Sequence, residues 1–291
     1  MRLSRLLLVA VLLGGMTTHA QSGWTQLWNG KNLDEWTTWM QQPSPTSEVP
    51  GLKRDAAGKY VEPIGSGRDP LNVFTVVNDV DGRPAIRISG EVFGELRSKA
   101  SFKDYHLKMQ FKWGEKKWPP RDKPETPRDS GLLYHVHSDP GAEGRTWARS
   151  VELQIQEHDV GDLYAVGSAI AVRAKARPGT KPTLYDYDPQ GEWTYFSQSQ
   201  GSMGRCIKQP DNEKPNGEWN TVELIAFGHD AIHIVNGKVV MRLYGPVKIN
   251  GDLPTPATSG PIILQSEGAE LFYRDIQVRP IKAIPPEFAA K

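Results

Sequence analysis

"VELQIQEHDVGD", residues 151–162, is the stretch on which the fold turns. Val151, Leu153 and Ile155 alternate with Glu152, Gln154 and Gln156, the period of two that a half-buried strand requires. The alternation then breaks, and Glu157, His158, Asp159 and Asp162 follow within six positions. A solvated sheet face would explain acids and amides gathered on one side of a strand. So would a sugar-binding or catalytic face.

The same period recurs along the chain, and helical periodicity is nearly absent. Strands are predicted over residues 72–77, 85–89, 95–98, 105–112, 131–137, 151–156, 169–173, 194–197, 220–227, 231–235, 238–243, 261–265 and 271–279. Val235-Asn236-Gly237-Lys238 lies between two alternating runs, a strong signal for a two-residue hairpin turn. Many short strands separated by turn signals predict an all-β sandwich. Residues 41–70, 114–130, 174–192 and 198–218 read as long loops of the kind that rim a site. Strand signals continue on both sides of each, so residues 21–284 are expected to form one β-sandwich domain, followed by a loose tail over 285–291. Parity places Gln110, His135, Glu152 and Gln154 on polar strand faces that one sheet could collect.

The first twenty residues read as a secretory signal peptide. Arg2 and Arg5 precede the apolar run Leu6–Leu13, and Thr18-His19-Ala20 sets small residues at a cleavage site. The run is too short to span a bilayer as a helix. The expected location is periplasmic or secreted, with Gln21 as the mature N-terminus. Loss of the two arginines turns the formal charge from +1 for the whole chain to −1. That balance gives no electrostatic reason to expect nucleic acid or an anionic membrane as partner. The single cysteine, Cys206, cannot form an intramolecular disulfide. A chain of this length can bury a sizeable core without one.

Seven short motifs carry a family resemblance. "GWTQLWNGKNLDEW" (23–36), "SGLLYHV" (130–136), "VELQIQEH" (151–158), "GEWNTVELIAFG" (217–228), "HIVNGKVV" (233–240), "GPIILQSEG" (260–268) and "FYRDIQVRPI" (272–281) occur in that order. The chain resembles the 3-keto-disaccharide hydrolase family over nearly all of its mature length. The resemblance implies a concanavalin A-like (jelly-roll) sandwich of two curved antiparallel sheets, with the ligand on the concave one. It also implies action on 3-keto-glycosides, sugars already oxidised at C3. Asp129 is a departure, since many relatives have Asn before this Ser-Gly.

A 3-keto group acidifies the proton on C2. A base removes it, the resulting enolate expels the C1 substituent, and water adds to the enone. The route needs a base, a group that stabilises the enolate oxygen and an acid for the leaving oxygen. Glu152 and Glu157 could be base or acid, and His135 or His158 base or electrophile. Gln154, Gln265, Glu267 and Gln110 could bind hydroxyls, and Trp193, Trp113 or Trp118 could stack on a sugar ring. No cofactor is demanded. Glu157, His158 and Asp162 could hold a divalent metal (calcium, magnesium or zinc) that polarises the ketone. A non-catalytic carbohydrate-binding module is the alternative.

Glu152-x-Gln154-x-x-Glu157 also resembles the Glu-x-Asp-x-x-Glu strand of laminarinase-type glucanases. Positions 152 and 157 lie ~16 Å apart along an ideal strand. A retaining glycosidase needs its carboxyls ~5–5.5 Å apart.

Overall fold

The computed structural model describes residues 23–198, 204–249 and 253–290. The expected signal peptide and its cleavage site lie outside them. Two sheets account for the regular structure, and every pairing between their strands is antiparallel. The smaller has eight strands, in spatial order Arg205–Cys206, Leu163–Val166, Ser150–Gln156, Asp129–Tyr134, Ile263–Ser266, Gly94–Ser98, Trp36–Met40 and Gly65–Ser66. The larger has twelve, with Asn220–Phe227, Tyr105–Lys117 and Ala269–Pro280 near its middle. The protein is the all-β sandwich expected from the alternation and from the resemblance.

One apolar core joins the sheets. Leu96, Leu132, Leu153 and Leu264 of the smaller sheet belong to the same buried cluster as Leu107, Phe111, Val172 and Leu224 of the larger. Leu153 stands opposite Leu132 on one neighbour and Leu163 on the other. Each fully buried side chain of this size stabilises by about 1.5–3 kcal/mol. The predicted hairpin forms: Val235 pairs with Lys238, and Asn236 and Gly237 both take positive φ, 48° and 79°. That is the geometry of a type I′ turn.

Several boundaries differ for local reasons. The strand expected to end at Lys112 runs to Lys117 and pairs with Ala269–Pro280. The carboxylate of Glu270 accepts the N–H groups of Glu115 and Lys116, holding a charged stretch in place that reads as loop. The strand expected over 131–137 ends at Tyr134, because His135 takes φ 53°. Trp36–Met40 and Leu163–Val166 are strands that the sequence reading missed. Of the expected tail, the part as far as Phe288 is docked. Ile281, Ile284 and Phe288 pack on Ile225, Ile232 and Ile234, and Arg242 donates to the Phe288 carbonyl at 2.7 Å. Among the described residues no helix is long and apolar enough to cross a membrane.

Candidate active site

With Val151, Leu153 and Ile155 in the core, Glu152, Gln154 and Gln156 point to the outer face of the smaller sheet. Register brings partners to them. Tyr164 lies opposite Glu152, Gly131 opposite Gln154, and Asp129 opposite Gln156. On the next strands Gln265 lies opposite Glu95, and Glu95 opposite Trp39. The result is a face rich in acids and amides, almost closed from solvent. Glu152 keeps 5% of its surface, Asp129 2% and Gln265 none.

Two glycines make room for it. A Cβ on Gly131 would lie 2.0 Å from Glu152 Oε1 and 2.3 Å from Gln265 Oε1, so both side chains occupy the space over its bare backbone. Gly268, at φ 81°, follows Glu267 in the turn after Ile263–Ser266. A Cβ there would meet Arg121 Cγ at 2.7 Å. Its absence lets Arg121 cross the turn to reach Asp129 and, at 3.5 Å, Glu267.

The carboxyls of this face have unequal surroundings. Asp129 accepts from Arg121, from Gln156 Nε2 at 2.6 Å and from Gln154 Nε2 at 3.3 Å. Burial raises its pKa while Arg121 and Gln156 oppose the rise. Glu267 is raised by burial and then by the charge of Asp129, against the pull of Arg121. Asp129 has the richer set of donors, so it carries the negative charge of the pair and Glu267 the proton. Glu152 has no hydrogen bond or ion pair among the described residues. Burial, then the neighbouring Glu267 and Asp129 carboxyls, push its pKa well above the usual carboxylate range. Glu95 accepts the Ala148 N–H at 2.6 Å through Oε1, while Oε2 has no partner. Burial pushes it up to about 7. Both ends of the Gln265 amide are also without partners among the described residues. An unsatisfied buried amide costs about 1–3 kcal/mol, and a ligand that pairs with it recovers that energy.

Of the residues expected at the site, Glu152, Gln154, Gln265 and Glu267 are brought together. Gln154 is occupied, holding Asp129 with Nε2 and the Ile155 N–H with Oε1, so it positions the acid. The others are placed elsewhere. Glu157 is tied to Arg128, by Nη1 at 2.6 Å and N–H at 2.7 Å, and to Asn216. Burial opposes its ionisation, but these donors outweigh burial and hold its pKa below the usual range. His158 is exposed at φ 73°, its N–H donated to Glu213. Asp162 is buried and accepts from Arg205 and from the Lys208 N–H. Glu157 thus pairs with Arg128, His158 with Glu213 and Asp162 with Arg205, so the three residues expected to hold a metal face different partners. No group of three or more His, Cys, Asp or Glu disposed to hold a metal occurs among the described residues.

His135 is buried past the strand end. Burial holds its pKa down to about 3, so it is neutral at physiological pH. Gln110 belongs to the larger sheet, where it accepts from Arg274 at 2.8 Å. Trp193 also lies on the larger sheet, 52% exposed. Cavities of about 580 and 540 Å³ border Arg128 and Trp193 respectively, away from Glu152. Three carboxyl groups, those of Glu152, Asp129 and Glu267, gather on this closed face, where Glu152 and the Gln265 amide lack partners among the described residues.

Arg121, Glu95, Gln156 and Tyr164 were not singled out from the sequence. Glu95 was within reach, since it alternates with Leu96 in a predicted strand. Arg121 was not, because it reaches the site from a loop whose path no local pattern fixes.

A β-sandwich with acids and amides buried on one sheet face has the makings of a carbohydrate-active protein. The family match agrees: residues 23–279 match the 3-keto-alpha-glucoside-1,2-lyase-like domain, and the chain belongs to that family. No significant match was found among curated proteins. Among solved structures, a protein of Parabacteroides distasonis ATCC 8503 provisionally assigned as a glycosyl hydrolase is 15% identical. It covers 89% of this chain and 94% of its own, with a TM-score of 0.44. The Bacillus subtilis carbohydrate binding module CBM66 is 9% identical over 71% of this chain and 91% of its own, TM-score 0.37. A Bacteroides ovatus GH16 protein, solved with a G4G4G3G product, is 12% identical over 88% of this chain and 98% of its own, TM-score 0.39. Similarities at this level carry nothing about the chemistry of the present chain.

Proposed function

We propose that the protein is an exported enzyme that cleaves 3-keto-glycosides by removing the C2 proton and eliminating the C1 substituent. The observation that carries this reading is Glu152, a buried carboxyl without a partner among the described residues, beside an amide unsatisfied there at both ends. Glu152 is the base in the form that has lost the proton burial favours on it: an ionised carboxylate deprived of donors has high proton affinity, so this reactive form is a minor one at neutral pH. Gln265 Nε2 donates to the ketone oxygen as it becomes an enolate. Glu267, kept protonated by burial and by Asp129, gives its proton to the leaving oxygen. Arg121 and Gln154 hold Asp129 in place.

The reading requires Glu152 ionised and Glu267 protonated, so kcat/KM should be bell-shaped, with both limbs above the usual carboxylate range. The test is Glu152→Gln assayed with a 3-keto-glucoside. The substitution keeps the shape and removes the base, so turnover is lost while substrate binding persists. Full turnover by this variant would overturn the assignment.

A further inference from the structure

Three of the exposed large hydrophobic side chains gather on one patch of the larger sheet. They are Trp193, Tyr195 and Tyr244, 52%, 67% and 49% exposed. Register explains the clustering. Tyr195 and Tyr244 flank Ala171 from the two neighbouring strands, and Trp193 stands opposite Arg173. The rings of Trp193 and Tyr244 are 6.1 Å apart, and His229 lies 6.2 Å beyond Tyr244. Ala171 is only 4% exposed despite its size, because large rings border it.

The core does not require these aromatics. The inward residues of the same strands, Ile170, Val172, Phe196 and Leu243, are already buried in the main cluster. Arg173 lies over the Trp193 ring at 4.7 Å, a contact worth about 0.5–1 kcal/mol at an exposed site. That contact accounts for Trp193, while Tyr195 and Tyr244, which shield Ala171, still leave about half or more of their surfaces exposed. Exposed aromatic clusters of this kind mark binding surfaces.

Beside the platform is a groove of about 540 Å³, within the roughly 300–1,000 Å³ of ligand pockets. Trp193 and Tyr244 form its aromatic side, Arg173, Arg242 and Asp230 provide charged groups, and Glu287 of the docked C-terminal segment closes it. Flat aromatic faces accept the axial C–H groups of a pyranose. Arginine and carboxylate groups at the edge bind its equatorial hydroxyls. An apolar protein surface would leave those charges unpaired on burial, which costs several kcal/mol per ion.

We infer that the Trp193–Tyr195–Tyr244 platform is a second carbohydrate-binding surface, on the larger sheet and separate from the Glu152 face, that holds a neutral glycan by stacking. It gives the protein a grip on an oligosaccharide independent of turnover. The inference rests on the carbohydrate chemistry of the family and on this geometry, and it does not depend on Glu152 being a base.

The test is calorimetric titration of the full chain with cellohexaose, maltohexaose and laminarihexaose. At least one should bind. Trp193→Ala and Tyr244→Ala should each weaken that binding at least tenfold, with thermal melts confirming that both remain folded. Glu152→Gln should bind the same oligosaccharide as the unmodified protein does, which separates this surface from the proposed catalytic one. Binding by none of the three sugars would overturn the inference, as would equal binding by the aromatic variants. Sedimentation showing that the patch closes a dimer, with no sugar bound, would also overturn it.

Discussion

Gly131→Ala tests the geometry of the acid–amide face with a single methyl group. Gly131 lies in ordinary strand backbone, so alanine brings no φ strain. Its Cβ would lie 2.0 Å from Glu152 Oε1 and 2.3 Å from Gln265 Oε1. Ordinary contact begins near 3.5 Å, so the two groups must retreat by roughly 1.2–1.5 Å. Both clashes are with the ends of side chains, so the fold should survive. Overpacking of this kind costs about 1–3 kcal/mol, and a domain of this size loses roughly 2–4 °C of Tm per kcal/mol. A displacement of about 1 Å at the reacting groups costs about 100-fold in rate. Scanning calorimetry and turnover of a 3-keto-glucoside should therefore show a modest fall in Tm with a large fall in kcat. Near-normal turnover would refute the placement of Glu152 and Gln265 as the reacting pair. Collapse of the fold would refute the claim that the space over Gly131 is filled only by movable ends.

Leu153→Ala should destabilise by about 2–5 kcal/mol in chemical denaturation through cavity formation, whereas Gln154→Ala should cost about 1 kcal/mol and disturb Asp129. Glu95 keeps its proton to about pH 7 when folded, and it loses it near the ordinary carboxylate value when unfolded. Its contribution to stability is therefore full below about pH 4.5 and declines as pH rises to about 7. Melts of Glu95→Gln relative to the unmodified protein should show a difference that moves in favour of the variant across that window. Glu157→Gln should lower stability by about 1–3 kcal/mol at neutral pH, an effect that fades as acid protonates Glu157 in the parent, while folded protein keeps its turnover. Mass spectrometry of protein recovered from the cell envelope should find Gln21 as the N-terminus, and an intact Met1 there would contradict export.

Much of the sandwich was readable because alternation is local: Val151, Leu153 and Ile155 announce their face without help from distant residues. The same rule identified Glu152 and Gln154, and motif resemblance added Gln265 and Glu267. It could not tell which strands are neighbours, so Gln110 was grouped with Glu152 although it lies on the other sheet. Parity also fails once the backbone leaves the strand. His135 and His158 both take positive φ, and Glu157 follows the last paired residue. The environments of Glu157 and His158 are set by Arg128, Asn216 and Glu213, which lie outside the strand that carries them. The docking of the C-terminal segment was hidden for a similar reason, since Ile225, Ile232 and Ile234 look like ordinary strand residues until the face they share is known.

The central claim is that the C2–H bond breaks during turnover. In heavy water, with a 3-keto-glucoside as substrate and non-enzymatic exchange of the ketone subtracted, mass and proton spectra of the released sugar read this directly. Elimination and hydration place solvent deuterium at C2. Cleavage through an oxocarbenium-like state at C1 leaves the C2 hydrogen untouched, and a product with no deuterium there would contradict the account.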